Sequence, residues 1–118
     1  MQIFLLYNGG DLFRKHADEV ENIILACQEL GIDCSEGGSV FVRSADELRE
    51  TVNVCKKYGI DYKKSSVIFY RSADEAEKIV SVCQRYGIDY KKSTMVFGRL
   101  ADEVEKIALV CEEFGISY

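Results

Sequence analysis

The residues of this chain that could carry chemistry recur every 28 positions. Paired acids share one repeat position in four units, and four of the five cysteines share another. They are Asp18-Glu19, Asp46-Glu47, Asp74-Glu75 and Asp102-Glu103, and Cys27, Cys55, Cys83 and Cys111. Paired carboxylates suit acid–base or metal chemistry, and cysteines suit zinc binding. Catalysis needs different groups assembled at one place, whereas each of these groups has a twin in every unit. The sequence therefore predicts no enzyme, no metal site and no cofactor.

The in-frame cysteines fit a structural role better than a reactive one. They fall on the apolar face of a predicted helix, where a free cysteine packs as a small apolar side chain. Disulfides between neighbouring units would need Cα atoms within about 7 Å, whereas packed helices lie about 8 to 10 Å apart. We expect buried, reduced cysteines, except that Cys34, which replaces a tyrosine of the other units, should be partly exposed.

His16 and the paired acids are predicted to mark helix starts. His16 is the only histidine, and it stands where two later units have Ser44 and Ser72. The acids follow immediately, in the first helical turn, where negative charge complements the helix dipole. We expect His16 to act as a cap residue, because no partner that would tune it as an acid or base can be named.

Two rows of basic residues form the pattern most typical of a binding site. One row shares the position just before each long helix, and the other lies in the loops between units. The first row is Lys15, Arg43, Arg71 and Arg99, and the second is Lys63, Lys64, Lys91 and Lys92. Stacked units would align such residues along a phosphate backbone. The alternative is that each arginine caps the carbonyl groups of the preceding short helix or pairs with the acidic turn nearby.

The elements that position these residues follow from the repeat. A period of this length is typical of a stacked array in which each unit buries its apolar side against its neighbours. Apolar residues at helical spacing, such as Ala73, Ala76, Ile79, Val80 and Cys83, predict one long helix per unit. Ser-x-x-Glu capping boxes at Ser44 and Ser72 predict helix starts, and Gly-Ile pairs predict helix ends.

The rest of each unit holds a short apolar pair that is a helix or a strand. Val67-Ile68-Phe69-Tyr70 is rich in β-branched and aromatic residues, but its counterpart Leu12-Phe13-Arg14-Lys15 is not. The sequence favours an all-α fold, an α-solenoid of about four 28-residue helix-turn-helix repeats, over strand-plus-helix βα repeats. The chain is read as one domain, 1–118, with units of approximately 1–34, 35–62, 63–90 and 91–118.

The repeats resemble those of the mitochondrial transcription termination factor family and its bacterial relatives. The resemblance is carried by Ser66-Val67-Ile68-Phe69-Tyr70-Arg71-Ser72 and Thr94-Met95-Val96-Phe97-Gly98-Arg99-Leu100. Each stretch leads into an acidic amphipathic helix and a terminal Tyr-Gly-Ile or Phe-Gly-Ile. The resemblance implies a helical solenoid that binds nucleic acid.

Composition and the chain ends complete the expectations. The net charge of -5 argues against a uniformly basic surface. Residues 1–7 contain no signal peptide, and no apolar run is long enough for a membrane span, so we expect a cytoplasmic protein. Residues 1–7 should cover the open side of the first unit or form an edge that pairs with a partner. Phe114, Ile116 and Tyr118 should be partly uncovered, which suggests self-association through terminal repeats or truncation from a longer solenoid.

The leading hypothesis is a non-enzymatic scaffold that binds an extended partner. DNA or RNA is the first candidate, bound through the rows of Lys and Arg. The alternatives are a solenoid that binds a protein or peptide, and a structural repeat module, engineered or part of a longer array.

Overall fold

A computed structural model of the chain describes residues 12–34, 38–63 and 67–118. In these ranges each unit contains a short 3₁₀ helix followed by a 14-residue α-helix, and there is no strand. The α-helices are α1 (Ala17–Leu30), α2 (Ala45–Tyr58), α3 (Ala73–Tyr86) and α4 (Ala101–Phe114). The short helices are Leu12–Arg14, Ser39–Val42, Val67–Tyr70 and Thr94–Gly98. The predicted all-α repeat fold is confirmed, and the strand-plus-helix alternative is wrong over the described residues.

The units stack in chain order. Each α-helix packs against the α-helix of the next unit, and from the second unit onward each short helix packs against the next short helix. Each unit therefore contributes one long helix to a layer of long helices and one short helix to a layer of short helices. The units are numbered 1 to 4 in chain order. Equivalent residues of successive units come side by side, which is the geometry that a repeat period imposes.

The first two long helices begin with cap interactions close to those predicted. The Ser44 hydroxyl accepts the backbone N–H of Glu47 at 3.2 Å, and the Ser44 N–H donates to Glu47 Oε1 at 2.9 Å. His16 occupies the same position in unit 1, and its backbone N–H donates to Glu19 Oε1 at 3.3 Å. These contacts satisfy N–H groups that have no partner within a helix.

The capping box predicted at Ser72 forms only in half. The Ser72 hydroxyl accepts the Glu75 N–H at 3.2 Å, as expected. The Glu75 carboxylate instead accepts the backbone N–H of Ala101 at 2.6 Å, one unit away. Ala101 is the first residue of α4, and Leu100 before it has no polar side chain to cap that helix. The second half of the prediction is wrong because a carboxylate from unit 3 satisfies the uncapped helix of unit 4.

Each long helix ends at its predicted glycine. Gly31, Gly59, Gly87 and Gly115 have φ between 69° and 74°, the left-handed conformation that glycine adopts without strain. The isoleucine after each glycine donates its N–H to the carbonyl of the in-frame cysteine at 2.8 Å, for example Ile60 to Cys55. This is the Schellman pattern that the Gly-Ile pairs predict.

The core runs through the stack as a single cluster of buried side chains. The long helices contribute residues at helical spacing, and the short helices contribute their apolar pairs. Ile68, Phe69 and Phe97 are fully buried, although they come from short helices. Val40 and Phe41 are buried as well, so both members of the apolar pair belong to the core in units 2 and 3, whereas in unit 4 Phe97 is buried and Val96 only partly so.

Candidate functional site

The guanidinium groups of Arg43 and Arg71 bind the next unit of the stack. Arg43 donates through Nε to the carbonyl oxygen of Phe69 at 3.0 Å and through Nη2 to that of Tyr70 at 2.8 Å. The same two bonds recur one unit later, from Arg71 to the carbonyl oxygens of Phe97 and Gly98 at 3.1 and 2.9 Å. These oxygens lie at the end of a short helix, where carbonyl groups have no donor within the helix. The two arginines therefore join neighbouring units.

This geometry differs from the local capping considered as the alternative to phosphate binding. The main contacts of Arg43 and Arg71 are 26 and 27 residues ahead, in the following unit, instead of in the preceding short helix. Arg71 also donates to its own short helix, through Nη1 to Tyr70 O at 3.3 Å. Arg43 pairs in addition with Glu47 at 3.6 Å, as an acidic-turn partner. Stacking brings the next short helix close to each arginine, and the unpaired carbonyl oxygens of that helix accept hydrogen bonds from the guanidinium group.

The pKa of Glu47 is held below its ordinary value by this local arrangement. The main cause is the hydrogen bond from the Ser44 backbone N–H, and the Ser44 hydroxyl contributes as well. The charges of Arg43 and Lys15 lower the pKa further, while partial burial acts in the opposite direction. Lys15 lines a shallow cavity of about 280 Å³ together with Phe41 and Val42.

Arg99 is the exception in the first basic row. It has the same repeat position as Arg43 and Arg71, but among the described residues no short helix follows to accept its N–H groups. Its side chain is exposed, and no described residue forms a hydrogen bond or ion pair with it. Arg99 therefore presents at the end of the stack the donors that its two equivalents use internally.

The second basic row also contacts neighbouring units. The Lys63 side chain lies over Gly31, where an added Cβ would be 3.1 Å from Lys63 Cε and 3.4 Å from Nζ. Lys91 lies over Gly59 in the same way, with Cε and Nζ both 3.2 Å from such a Cβ. The Lys63 ammonium group thus sits at the C-terminal end of α1 and the Lys91 ammonium group at that of α2, where positive charge complements the helix dipole. Lys92 is exposed, and Lys64 lies outside the described residues.

The loop tyrosines bind backwards to the preceding unit. The hydroxyl of Tyr62 donates to the carbonyl oxygen of Leu30 at 3.0 Å. The same bond is repeated from Tyr90 to Tyr58 at 3.1 Å and from Tyr118 to Tyr86 at 2.9 Å. Each bond satisfies a carbonyl at the last residue of a long helix. The tyrosines therefore contribute to packing between units.

Charged pairs between consecutive long helices form a third junction that the sequence analysis missed. Counting the first residue of each 14-residue helix as position 1, position 13 of one helix meets position 5 of the next. Glu29 pairs with Arg49 at 3.1 Å, Lys57 with Glu77 at 3.6 Å and Arg85 with Glu105 at 2.6 Å. The signal was present as opposite charges 20 residues apart at each junction. A comparison of one unit with the next would have revealed it.

The last unit exposes the side that units 1 to 3 bury. We define the C-terminal face as Met95, Arg99, Ile107, Val110 and Phe114. Ile107 is 47% exposed, Val110 52% and Phe114 70%. The unit 3 equivalents of Ile107 and Val110, Ile79 and Val82, are 0% and 6% exposed because α4 covers them. The expectation of a partly uncovered end at Phe114, Ile116 and Tyr118 is confirmed.

A groove beside the C-terminal face is mainly apolar. It has a volume of about 240 Å³, and its lining includes Met95, Arg99, Val104, Ile107 and Tyr118. A second open groove, about 740 Å³, lies at the other end of the stack along α1, with Phe13, Val20, Ile24 and Leu25 in its lining. We expected residues 1–7 to cover this side of unit 1. Residues 1–7 lie outside the described ranges, so this expectation stays a prediction.

Three of the four in-frame cysteines occupy the buried positions that their spacing predicts, and the prediction is wrong for Cys111 in the last described helix. Cys27, Cys55 and Cys83 are fully buried, Cys34 and Cys111 are partly exposed, and all five are free thiols. Burial raises the pKa of Cys27 and Cys55 to about 12 and that of Cys83 to about 11. Thiols with raised pKa values are poor nucleophiles and metal ligands at neutral pH.

Within 12–34, 38–63 and 67–118 no group of three or more His, Cys, Asp or Glu side chains is arranged to hold a metal ion. In the same part of the chain, none of the helices has the length and apolar character needed to cross a membrane.

Comparisons of the chain with protein-family models, with curated proteins and with solved structures gave no match. The resemblance to the transcription termination factor repeats therefore stays a prediction from the sequence.

Proposed function

We propose that this chain is a non-enzymatic helical-repeat module that binds a protein partner by adding a helical unit to its C-terminal face. The observation that carries this proposal is the contrast between Val110, 52% exposed, and its equivalent Val82, 6% exposed under the next helix. The exposed side of α4 has the composition of a surface that is covered at every internal junction. An apolar patch of this kind is typical of an interaction site.

The use of the arginines supports a protein partner over nucleic acid. Arg43 and Arg71 donate to backbone carbonyls, and each would have to give up two hydrogen bonds to reach a phosphate group. Lys63 and Lys91 lie over helix ends of the preceding units. The rows that suggested a phosphate track thus serve mainly to hold the stack together.

Affinity purification with two matched variants tests the proposal. Val110→Glu places a charge on the C-terminal face, whereas Leu109→Glu places the same charge on the adjacent residue of α4. Leu109 is similarly exposed, at 49%, but its internal equivalents Asn53 and Ser81 are exposed too. We expect proteins from an extract of the source organism that bind the wild type and Leu109→Glu but not Val110→Glu. Equal capture by all three proteins would contradict the proposal, and circular dichroism controls for folding.

Nucleic-acid binding remains a second candidate, favoured by exposed basic side chains in unit 4. Arg99 and Lys92 are exposed near one another in sequence, and no described residue forms a hydrogen bond or ion pair with the Arg99 guanidinium group. A titration with DNA and RNA at two salt concentrations tests this candidate. Binding that weakens with salt, and weakens further in Arg99→Ala with Lys92→Ala, would support it. Affinity that is unchanged in the double variant would contradict it.

A further inference from the structure

The internal junctions define what the C-terminal face accepts, an inference that rests on the proposed function. Positions 13 and 14 of each long helix meet position 5 of the next, and two combinations occur. In one, a basic residue and a tyrosine meet glutamate: Lys57 and Tyr58 with Glu77, and Arg85 and Tyr86 with Glu105. In the other, a glutamate at position 13 pairs with arginine, as Glu29 does with Arg49, and position 14 is Leu30, which has no hydroxyl.

Unit 4 carries the second combination. Position 13 is Glu113 and position 14 is Phe114, which has no hydroxyl to donate. A glutamate at position 5 of an incoming helix would bring two carboxylates together without the tyrosine hydroxyl that both accepting glutamates use internally. Like charges across an interface reject a partner, whereas opposite charges select it. The incoming helix therefore needs a basic residue at position 5.

Arg99 adds a requirement for the segment before that helix. Its two equivalents each donate to two consecutive carbonyl oxygens at the end of the next short helix. An incoming unit with a short helix before its long helix would present such oxygens to Arg99. The apolar residues of the face add a requirement for apolar residues at positions 4 and 8, which in α2 are the buried Leu48 and Val52.

We propose that the C-terminal face binds a helical unit of another protein, consisting of a short helix and an amphipathic long helix with Arg or Lys at position 5. Its affinity comes from covering Ile107, Val110 and Phe114, and its specificity comes from Glu113 and Arg99. The stacking contacts inside this chain provide the template for the interface.

A second copy of this chain does not fit that description. In a head-to-tail stack, position 5 of its first long helix is Glu21, which would face Glu113. After its first long helix, the second copy has Cys34 at the position of Tyr62, Tyr90 and Tyr118. The hydroxyl of each of these tyrosines binds the end of the long helix one unit earlier in the stack. The tyrosine hydrogen bond would be absent, and repulsion between two carboxylates would replace the ion pair between positions 13 and 5. Unit 1 of a second copy, in a head-to-tail stack, is therefore a poor occupant of the C-terminal face.

A peptide copying residues 38–63 is the probe for this interface, because it holds the short helix, α2, Arg49, Tyr62 and Lys63. The labelled peptide is titrated with the full chain and followed by fluorescence anisotropy. We expect saturable binding that Val110→Glu weakens at least about tenfold, since it would bury an unpaired charge. Leu109→Glu should leave the affinity unchanged. Absence of saturable binding would overturn the inference.

A charge exchange tests the selectivity separately from the proposed function. Glu113→Lys in the full chain should lower its affinity for the wild-type peptide by about two- to fivefold. The same change should raise the affinity for an Arg49→Glu peptide by a similar factor, as expected for a solvent-exposed ion pair. Binding that depends on Val110 but ignores the exchange would overturn the inferred partner and leave the proposed function standing. Sedimentation velocity of the chain alone should give a monomer, and a dimer that Val110→Glu abolishes would overturn the inference in favour of a second copy.

Discussion

At the scale of single residues, recurrence distinguishes packing from chemistry, and departures from recurrence identify the sites that behave differently. Position 7 of the long helices is isoleucine in units 1, 3 and 4 but Thr51 in unit 2. Thr51 is fully buried, and its hydroxyl has no hydrogen-bond partner in the described part of the chain. A buried hydroxyl without a partner costs free energy that an apolar residue does not.

Thr51→Val should therefore stabilise the protein. Valine has nearly the same shape and removes the unsatisfied hydroxyl, so we expect the free energy of unfolding to rise by about 1 kcal/mol. Urea denaturation followed by circular dichroism measures the change. Thr51→Ser is the control, because it keeps the hydroxyl and removes a methyl group, and it should destabilise. A valine variant no more stable than the wild type would mean that the hydroxyl is satisfied in solution.

Thiol reactivity should divide the cysteines by burial. We expect Cys34 and Cys111 to react with a thiol-specific reagent in the folded protein at neutral pH, because both are partly exposed. Cys27, Cys55 and Cys83 should react only after unfolding, because burial raises their pKa values and blocks access. Mass spectrometry of labelled protein assigns the sites. Labelling of all five at one rate would be inconsistent with the packed positions.

At the scale of elements, the long helices are determined locally except at one start. The Gly-Ile ends and the Ser44 start follow rules that need only neighbouring residues. The start of α4 depends instead on Glu75 of unit 3, because Leu100 cannot cap it. A local weakness in one helix is thus compensated by the preceding unit.

Leu100→Ser should restore the local cap of α4. Serine at this position would accept an N–H of the first helical turn, as Ser44 and Ser72 do, and we expect the free energy of unfolding to rise by about 0.5 to 1 kcal/mol. Chemical denaturation measures it. Leu100→Ala is the control, because it removes the exposed leucine without adding a cap, and it should give no such gain. Equal stability of the serine and alanine variants would contradict the capping argument.

At the scale of the whole molecule, the stack is asymmetric because each unit forms different hydrogen bonds with the unit before it and the unit after it. Arginines donate forwards to the next short helix, and tyrosines donate backwards to the preceding long helix. Among the described units, unit 4 therefore has an arginine without these carbonyl acceptors and an exposed apolar side. This directionality is what makes the C-terminal face a defined surface.

Arg71 and Arg99 provide a matched comparison of that directionality. Arg71→Ala removes two hydrogen bonds from a charged donor to carbonyls of unit 4, and we expect the free energy of unfolding to fall by about 1 to 2 kcal/mol. Arg99→Ala should have no measurable effect, because its equivalent bonds are absent. Thermal and urea denaturation check both variants. Equal stability of the two variants would mean that the forward bonds do not hold the stack together.

From the sequence alone, the 28-residue unit, the long helices, their glycine ends and the burial of Cys27, Cys55 and Cys83 are predicted correctly, whereas the predicted burial of Cys111 is wrong because that residue is partly exposed. These features depend on periodicity and on backbone rules that act within one unit, so the residues of Ala73–Tyr86 sufficed to predict α3. The contacts of four basic side chains with other units, and the capping of α4 by Glu75, became clear only from the tertiary structure. The four basic residues are Arg43, Arg71, Lys63 and Lys91. Those side chains are long enough to reach either solvent or a neighbouring unit. The stacking distance, which is a property of the assembled repeat and not of any one unit, brings unpaired carbonyl and N–H groups within their reach.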